Sequence, residues 1–116
     1  MDNCLFCKIA KGTIAAEKVY ESEKIVAFKD VHPKAPVHVL VIPREHIDSL
    51  ATVDEKNSIV FNELFLAVKK IAQQQGILES GFRTIINCNK NGGQEVFHLH
   101  IHILGGKKIG PMVVPL

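Results

Sequence analysis

His98, His100 and His102 alternate with Leu99, Ile101 and Ile103 in the stretch FHLHIHILGG. Successive side chains of an extended strand point to opposite faces. The spacing therefore predicts three imidazoles in a row on one face, about 6.5–7 Å apart, with an aliphatic face behind them. Imidazole near neutral pH can attack an electrophile, carry a proton or bind a metal. Half of the chain's six histidines lie in this one stretch, and strict alternation with bulky aliphatics fits a solvated surface strand poorly. A single zinc held by all three is disfavoured, because His98 and His102 would have to converge over about 13 Å of extended chain.

The elements that must position this row can be read from pattern. Residues 4–10 predict a short helix ending near Gly12. Residues 18–21 and 24–29 predict strands joined by a tight turn at Ser22-Glu23, followed by a loop over Asp30–Pro33. Residues 37–42, between Pro36 and Pro43, predict a further strand. Thr52 and Glu55 match a capping box that would open a long helix. Its apolar stripe would be Phe61, Leu64, Phe65, Val68, Ile71 and Ala72, with Gly76 as its C-cap. Residues 82–88 and 97–104 predict the last two strands, separated by the turn-forming cluster Asn89–Gly93. Five strands with one long and one short helix predict an α+β domain with a mainly antiparallel sheet, because too few crossover helices exist for a parallel one. Ile59, Val60 and Leu66 add apolar surface to the long helix, which could be core or could meet a second copy.

At 116 residues the chain has room for one domain with one core. A 47% hydrophobic and 22% charged composition is that of a globular protein. A formal charge of +2 gives no nucleic-acid surface, and no run of 18 apolar residues gives a membrane span. The stretch MDNCLFCKIAKG has no signal-peptide pattern, so a soluble, cytoplasmic protein is expected. Three cysteines argue against a disulfide framework. Cys4 and Cys7 stand at a common zinc-ligand spacing, and metal, redox chemistry and chance all remain open for them. Cys88 is expected to be a buried apolar residue.

The block from Gly93 through Gln94, Glu95 and Val96 to His98-x-His100-x-His102 and Gly106 resembles the signature of the histidine triad family. Phe6-Cys7-Lys8-Ile9, Ala27-Phe28-Lys29-Asp30, the segment from Ala35 to Pro43, and Ile86-Asn87 resemble it too, so the likeness runs from about residue 3 to Gly106. It is closest to the branch of small nucleotide-binding members that hydrolyse nucleoside phosphoramidates. That resemblance implies an α+β protomer whose five-stranded sheet joins its partner's in a homodimer. It implies purine nucleotides (AMP, GMP and their phosphoramidates) as ligands, cleaved at the P–N bond. His100 would be the nucleophile, forming a nucleotidyl-histidine, with its tautomer fixed by the backbone carbonyl of His98. His102 would hold a phosphate oxygen, and His38 would be the other active-site histidine. Asn87 would contact phosphate and ribose, Asp30 the ribose, and the loop Gly93-Gln94-Glu95-Val96, with His98, the substrate around the phosphate. Leu5, Phe6, Ile9, Phe28, Lys29 and Val31 match positions around the base.

The resemblance also implies a structural zinc held by Cys4, Cys7, His46 and His98, a closed Cys₂His₂ set. Two positions depart from the branch. Glu95 stands where well-known members have a serine that helps protonate the leaving group. A carboxylate there must turn away, be protonated or pair with a leaving ammonium. The tail, residues 110–116, lacks the aromatic-proline ending of those members. Alternatives within the same residues are a dinucleoside polyphosphate hydrolase, a zinc-stabilised nucleotide-binding module with little turnover, and a zinc hydrolase using the triad as ligands.

Overall fold

The computed structural model describes residues 3–115. Met1 and Asp2, part of the N-terminal stretch read above, and Leu116, the last residue of the divergent tail, lie outside the described residues. Helix α1 is Leu5–Lys11, followed by strands β1 (Lys18–Glu21), β2 (Ile25–Lys29) and β3 (Val37–Pro43), helix α2 (Val60–Gln74), strand β4 (Phe82–Ile85), a one-turn helix α3 (Asn89–Gly92) and strand β5 (Ile101–Gly105). The strands form one sheet in the order β1-β2-β3-β5-β4, and every neighbouring pair is antiparallel. The expected α+β architecture is present. Among the described residues no helix is long and apolar enough to cross a membrane.

The strands alternate cleanly between two buried faces. Ile25, Ala27, Val39, Val41, Ile101 and Ile103 face α2 and pack with Leu64, Val68, Ile71 and Ala72. Val26, Phe28, Leu40 and Ile42 face the other way and pack with Phe6, Ile9 and Ala10 of α1. Each fully buried aliphatic side chain contributes about 1.5–3 kcal/mol. The sheet is thus covered on both sides, and His38 and His102 lie on the α1 side. In the β3–β5 register, His38 pairs with Leu104 and Leu40 with His102. The two histidines are therefore diagonal neighbours on one face, within reach of each other's rings.

Several elements differ from expectation. Thr52 does not cap α2. Ser49 caps a 3₁₀ turn at Leu50–Thr52, with Thr52 at the third position of a capping box, and Asp54 and Asn57 exchange backbone-to-side-chain bonds of 2.8 Å each way. The α-helix starts only at Val60, which is itself buried in the core. Phe65 is 58% exposed and lies off the buried stripe, with its ring 6.0 Å from that of half-buried Phe61. Strand β4 stops at Ile85, short of the expected residue 88. The loop after it is not a plain turn: Asn89, at φ 59°, opens α3. Cys88 is half-buried rather than buried.

The largest difference is in the triad segment, where β5 begins at Ile101. Pro43, which ends β3, has no N–H to offer a ladder, and its carbonyl is taken by the His98 ring. Leu99 N–H bonds instead to Ile47 O, at 2.6 Å. His98 and His100 are therefore held by side-chain and loop contacts rather than by a strand partner. At the other end of β5, Gly106 has φ +90°, and a Cβ there would stand 2.9 Å from the Pro36 ring, so only glycine fits.

Candidate active site

Strands β3 and β5, α1 and the loop after β4 enclose a cavity of about 500 Å³. His100 and His102 line it with His38, Asp30 and Asn87. Gly93, Glu95 and Val96 form part of the wall, as do Leu5, Phe6, Ile9, Phe28, Lys29 and Val31. Two expected substrate contacts do not reach it. Gln94 is buried, and its amide accepts from Asn89 N–H (2.8 Å) and donates to Asp48 O (2.8 Å) and Val96 O (3.1 Å), so it braces the loop. His98 is fully buried behind the wall. The cavity also uses residues that the sequence did not single out: Ile14 to Ala16, His32, Lys34 and Leu40. None of the first three carries a chemical signal, and only the fold brings them to the pocket.

The expected even row of imidazoles is absent. The rings of His100 and His102 are 5.0 Å apart, while the His98 ring turns into the protein. What orders the histidines is the placement of their protons, which follows from their partners. A carbonyl oxygen can only accept, so the His98 ring donates from Nε2 to Pro43 O, at 2.8 Å. The His100 ring donates from Nδ1 to His98 O, at 2.7 Å, which leaves its Nε2 with a lone pair. His38 Nδ1 accepts from Lys34 N–H at 3.1 Å, so its Nε2 carries the proton and donates to His102 Nδ1 at 3.0 Å. His102 must then carry its own proton on Nε2. Asp30 Oδ2 lies 3.4 Å from His38 Nε2 and supports that orientation.

Burial keeps these rings neutral. It is the largest influence on the pKa of His100, lowering it against the raising effects of the bond to His98 O and the charge of Asp30. It also lowers that of His38. His98 and His102 are both lowered from 6.5 to about 4, chiefly by burial and further by neighbouring histidines. His100 is thus a neutral imidazole with one bare nitrogen in the wall of a cavity, which is the form a nucleophile needs.

Behind His100 lies a second cluster. The donor atoms of Cys4, Cys7, His46 and His98 all lie within 4.8 Å of one another. His46 donates from Nε2 to Asp48 Oδ1 at 2.6 Å, so both histidines present bare Nδ1 atoms to the sulfurs. These nitrogens are 3.3 Å (His46 to Cys7), 3.4 Å (His98 to Cys4) and 3.5 Å (His98 to Cys7) from sulfur. Tetrahedral zinc with ordinary Zn–S and Zn–N lengths places sulfur and nitrogen about 3.5 Å apart. The Cys7 thiol has one proton and two bare nitrogens to satisfy, whereas a cation satisfies all four donors. The Pro43 carbonyl and the Asp48 carboxylate supply the outer hydrogen bonds that metal-bound histidines use. This donor set is compatible with zinc. The trio Asp30, His38 and His102 is also close-set, but Lys34 N–H forces a proton onto His38 Nε2, so it is a hydrogen-bond chain and not a metal cage.

The HIT domain family matches residues 11–109, most of the chain. The chain belongs to the HIT domain family. A histidine triad protein from Clostridium difficile superposes on this HIT domain with a TM-score of 0.93 at 47% identity, covering 97% of each chain. The purine nucleoside phosphoramidase of Escherichia coli (strain K12) is 39% identical over 112 residues, 97% of this chain and 94% of that one. A 14 kDa zinc-binding protein of Zea mays is 40% identical over 107 residues, 90% of this chain and 83% of that one.

The His102 shift fixes a pH dependence. Its folded pKa of about 4 lies below the unfolded reference of 6.5, so the unfolded state binds the proton more readily between those values. The stability it contributes is complete above about pH 6.5 and is lost as the pH falls through about 4. Urea denaturation from pH 7 to 4.5 should show a steeper loss in wild type than in His102→Asn. Parallel curves would contradict this.

Proposed function

We propose that this HIT domain hydrolyses purine nucleoside phosphoramidates through His100. The observation that carries the reading is the state of that ring: neutral, with Nδ1–H bonded to the His98 carbonyl and Nε2 bare, in the wall of the cavity. The apolar wall of Phe6, Ile9 and Phe28 suits a purine base. Asp30 accepts His32 N–H on Oδ1 at 2.8 Å and keeps lone pairs for ribose hydroxyls. Asn87 and the backbone at Gly93 suit the phosphate and ribose.

His100 Nε2 attacks the α-phosphorus, a proton from solvent reaches the bridging nitrogen, and the P–N bond breaks so that the amine leaves neutral. The ring becomes cationic as it attacks, and the His98 carbonyl already accepts from its Nδ1–H, so the new charge meets an oriented dipole. His102 donates Nε2–H to a phosphoryl oxygen, and His38 holds His102 in the donating tautomer. Water then cleaves the nucleotidyl-histidine and releases the nucleoside monophosphate. His38 is in this scheme a positioning residue.

Zinc held by Cys4, Cys7, His46 and His98 would be structural, because four protein donors close a tetrahedral site. It would anchor α1 to the residue whose carbonyl orients His100. The maize relative, a zinc-binding protein, supports this, as does the donor geometry. A second copy of the chain is the partner that the exposed apolar residues Ile59, Phe65 and Leu66 support, and β4 ends the sheet with an open edge.

Rapid mixing with an adenosine phosphoramidate, followed by intact-mass measurement, should show a nucleotidyl adduct on wild type and none on His100→Ala. The variant should lose on the order of 10⁴-fold or more in kcat. Equal turnover in the variant, or preference for a dinucleoside polyphosphate, would refute the reading. Protein purified under reducing conditions without chelator should carry one zinc per chain. Cys7→Ser should lose that metal and more than about 5 °C of Tm. Zinc-free wild type, or full occupancy in the variant, would refute the metal assignment.

A further inference from the structure

Glu95 is the one acidic or lysine side chain in the cavity wall that has no partner among the described residues. Asp30 accepts from His32 N–H and faces His38 Nε2. Lys29 Nζ lies 2.8 Å from Glu17, and Lys34 Nζ lies 3.4 Å from His32 O. Glu95 is exposed and has neither ion pair nor hydrogen bond with a described residue, although the backbone that carries it is held. Buried Gln94 bonds to Val96 O on one side and to Asn89 N–H and Asp48 O on the other, so the backbone on both flanks of Glu95 is pinned.

Glu95 also lines a second depression next to the cavity. Leu5, Glu95 and Val96 are common to both, and the outer walls are Asn3, Cys4, His46, Asp48 and Phe97. The second depression includes neither His100 nor His102. With base and ribose in the main cavity and phosphorus at His100, this continuation is the space left for the group on the far side of the P–N bond. A carboxylate there repels the anionic phosphoryl group unless something cationic sits between them.

Resting on the phosphoramidase reading, we infer that Glu95 selects leaving amines that carry a second, distal positive charge. The substrate class is a nucleoside 5′-phosphoramidate of a diamine or similar cationic amine. The distal ammonium pairs with the Glu95 carboxylate, and neutral or anionic leaving groups of equal size are disfavoured. An exposed ion pair of this kind supports a preference of about three- to five-fold, which weakens at high salt.

The test uses two adenosine phosphoramidates with alike P–N bonds, one made from 1,4-diaminobutane (the aminobutyl compound) and one from butylamine. The ratio of their kcat/KM values is measured for wild type, Glu95→Gln and Glu95→Lys, at low and high salt. Wild type should favour the aminobutyl compound about three- to five-fold at low salt. Glu95→Gln should bring the ratio near unity and Glu95→Lys below it. The same ratio in all three proteins would overturn the inference. If wild type turns over neither compound, the phosphoramidase reading fails. Calorimetric binding of both compounds to wild type and Glu95→Lys then decides on Glu95 alone, with an unchanged ratio of Kd values overturning its role.

Discussion

The hydrogen bond from His100 Nδ1–H to the His98 carbonyl, 2.7 Å long, is the constraint on which the site depends. It puts a proton on one nitrogen of His100, the proposed nucleophile, and leaves the other bare. The acceptor is backbone, and the residue that supplies it is itself clamped. The His98 ring donates to Pro43 O on one side and faces the Cys4 and Cys7 sulfurs on the other. A residue that never reaches the cavity therefore decides the chemical state of the one that does.

The same logic separates two clusters that look alike by composition. In each, titratable donors lie within 4.8 Å of one another. Around Cys4 and Cys7, the hydrogen bonds of His46 and His98 pull their protons outward, and two bare nitrogens converge with two sulfurs. Around Asp30, the Lys34 N–H pushes the His38 proton inward, and a chain from His38 to His102 results. One set is suited to a cation and the other to passing a fixed tautomer from His38 to His102. Burial depresses the pKa of His38, His98, His100 and His102 and keeps those four rings neutral.

Much of this was legible in the sequence, because period-two and helical patterns report which face of an element is buried. The five strands, α1 with its Gly12 cap, the placing of His38 against the triad and the Cys₂His₂ set all follow from such patterns or from the family likeness. What was not legible depends on partners distant in the chain. The break of the triad strand before Ile101 comes from Pro43, whose missing N–H and occupied carbonyl divert His98 and Leu99 to other acceptors. The late start of α2 comes from the competing Ser49–Thr52 and Asp54–Asn57 exchanges, two local solutions to the same capping problem. Gln94 reads as part of a phosphate loop, yet its amide is consumed in bracing that loop. Asp48 carries no signal beyond its two-residue spacing from His46, and Ile14 to Ala16 carry none.

The most direct test of the central claim is the tautomer of His100, read from long-range ¹H–¹⁵N correlations in ¹⁵N-histidine-labelled protein at neutral pH, with His100→Gln used for assignment. A ring protonated at Nδ1 and bare at Nε2 is predicted. A ring protonated at Nε2, or one averaging between the two forms, would contradict the account.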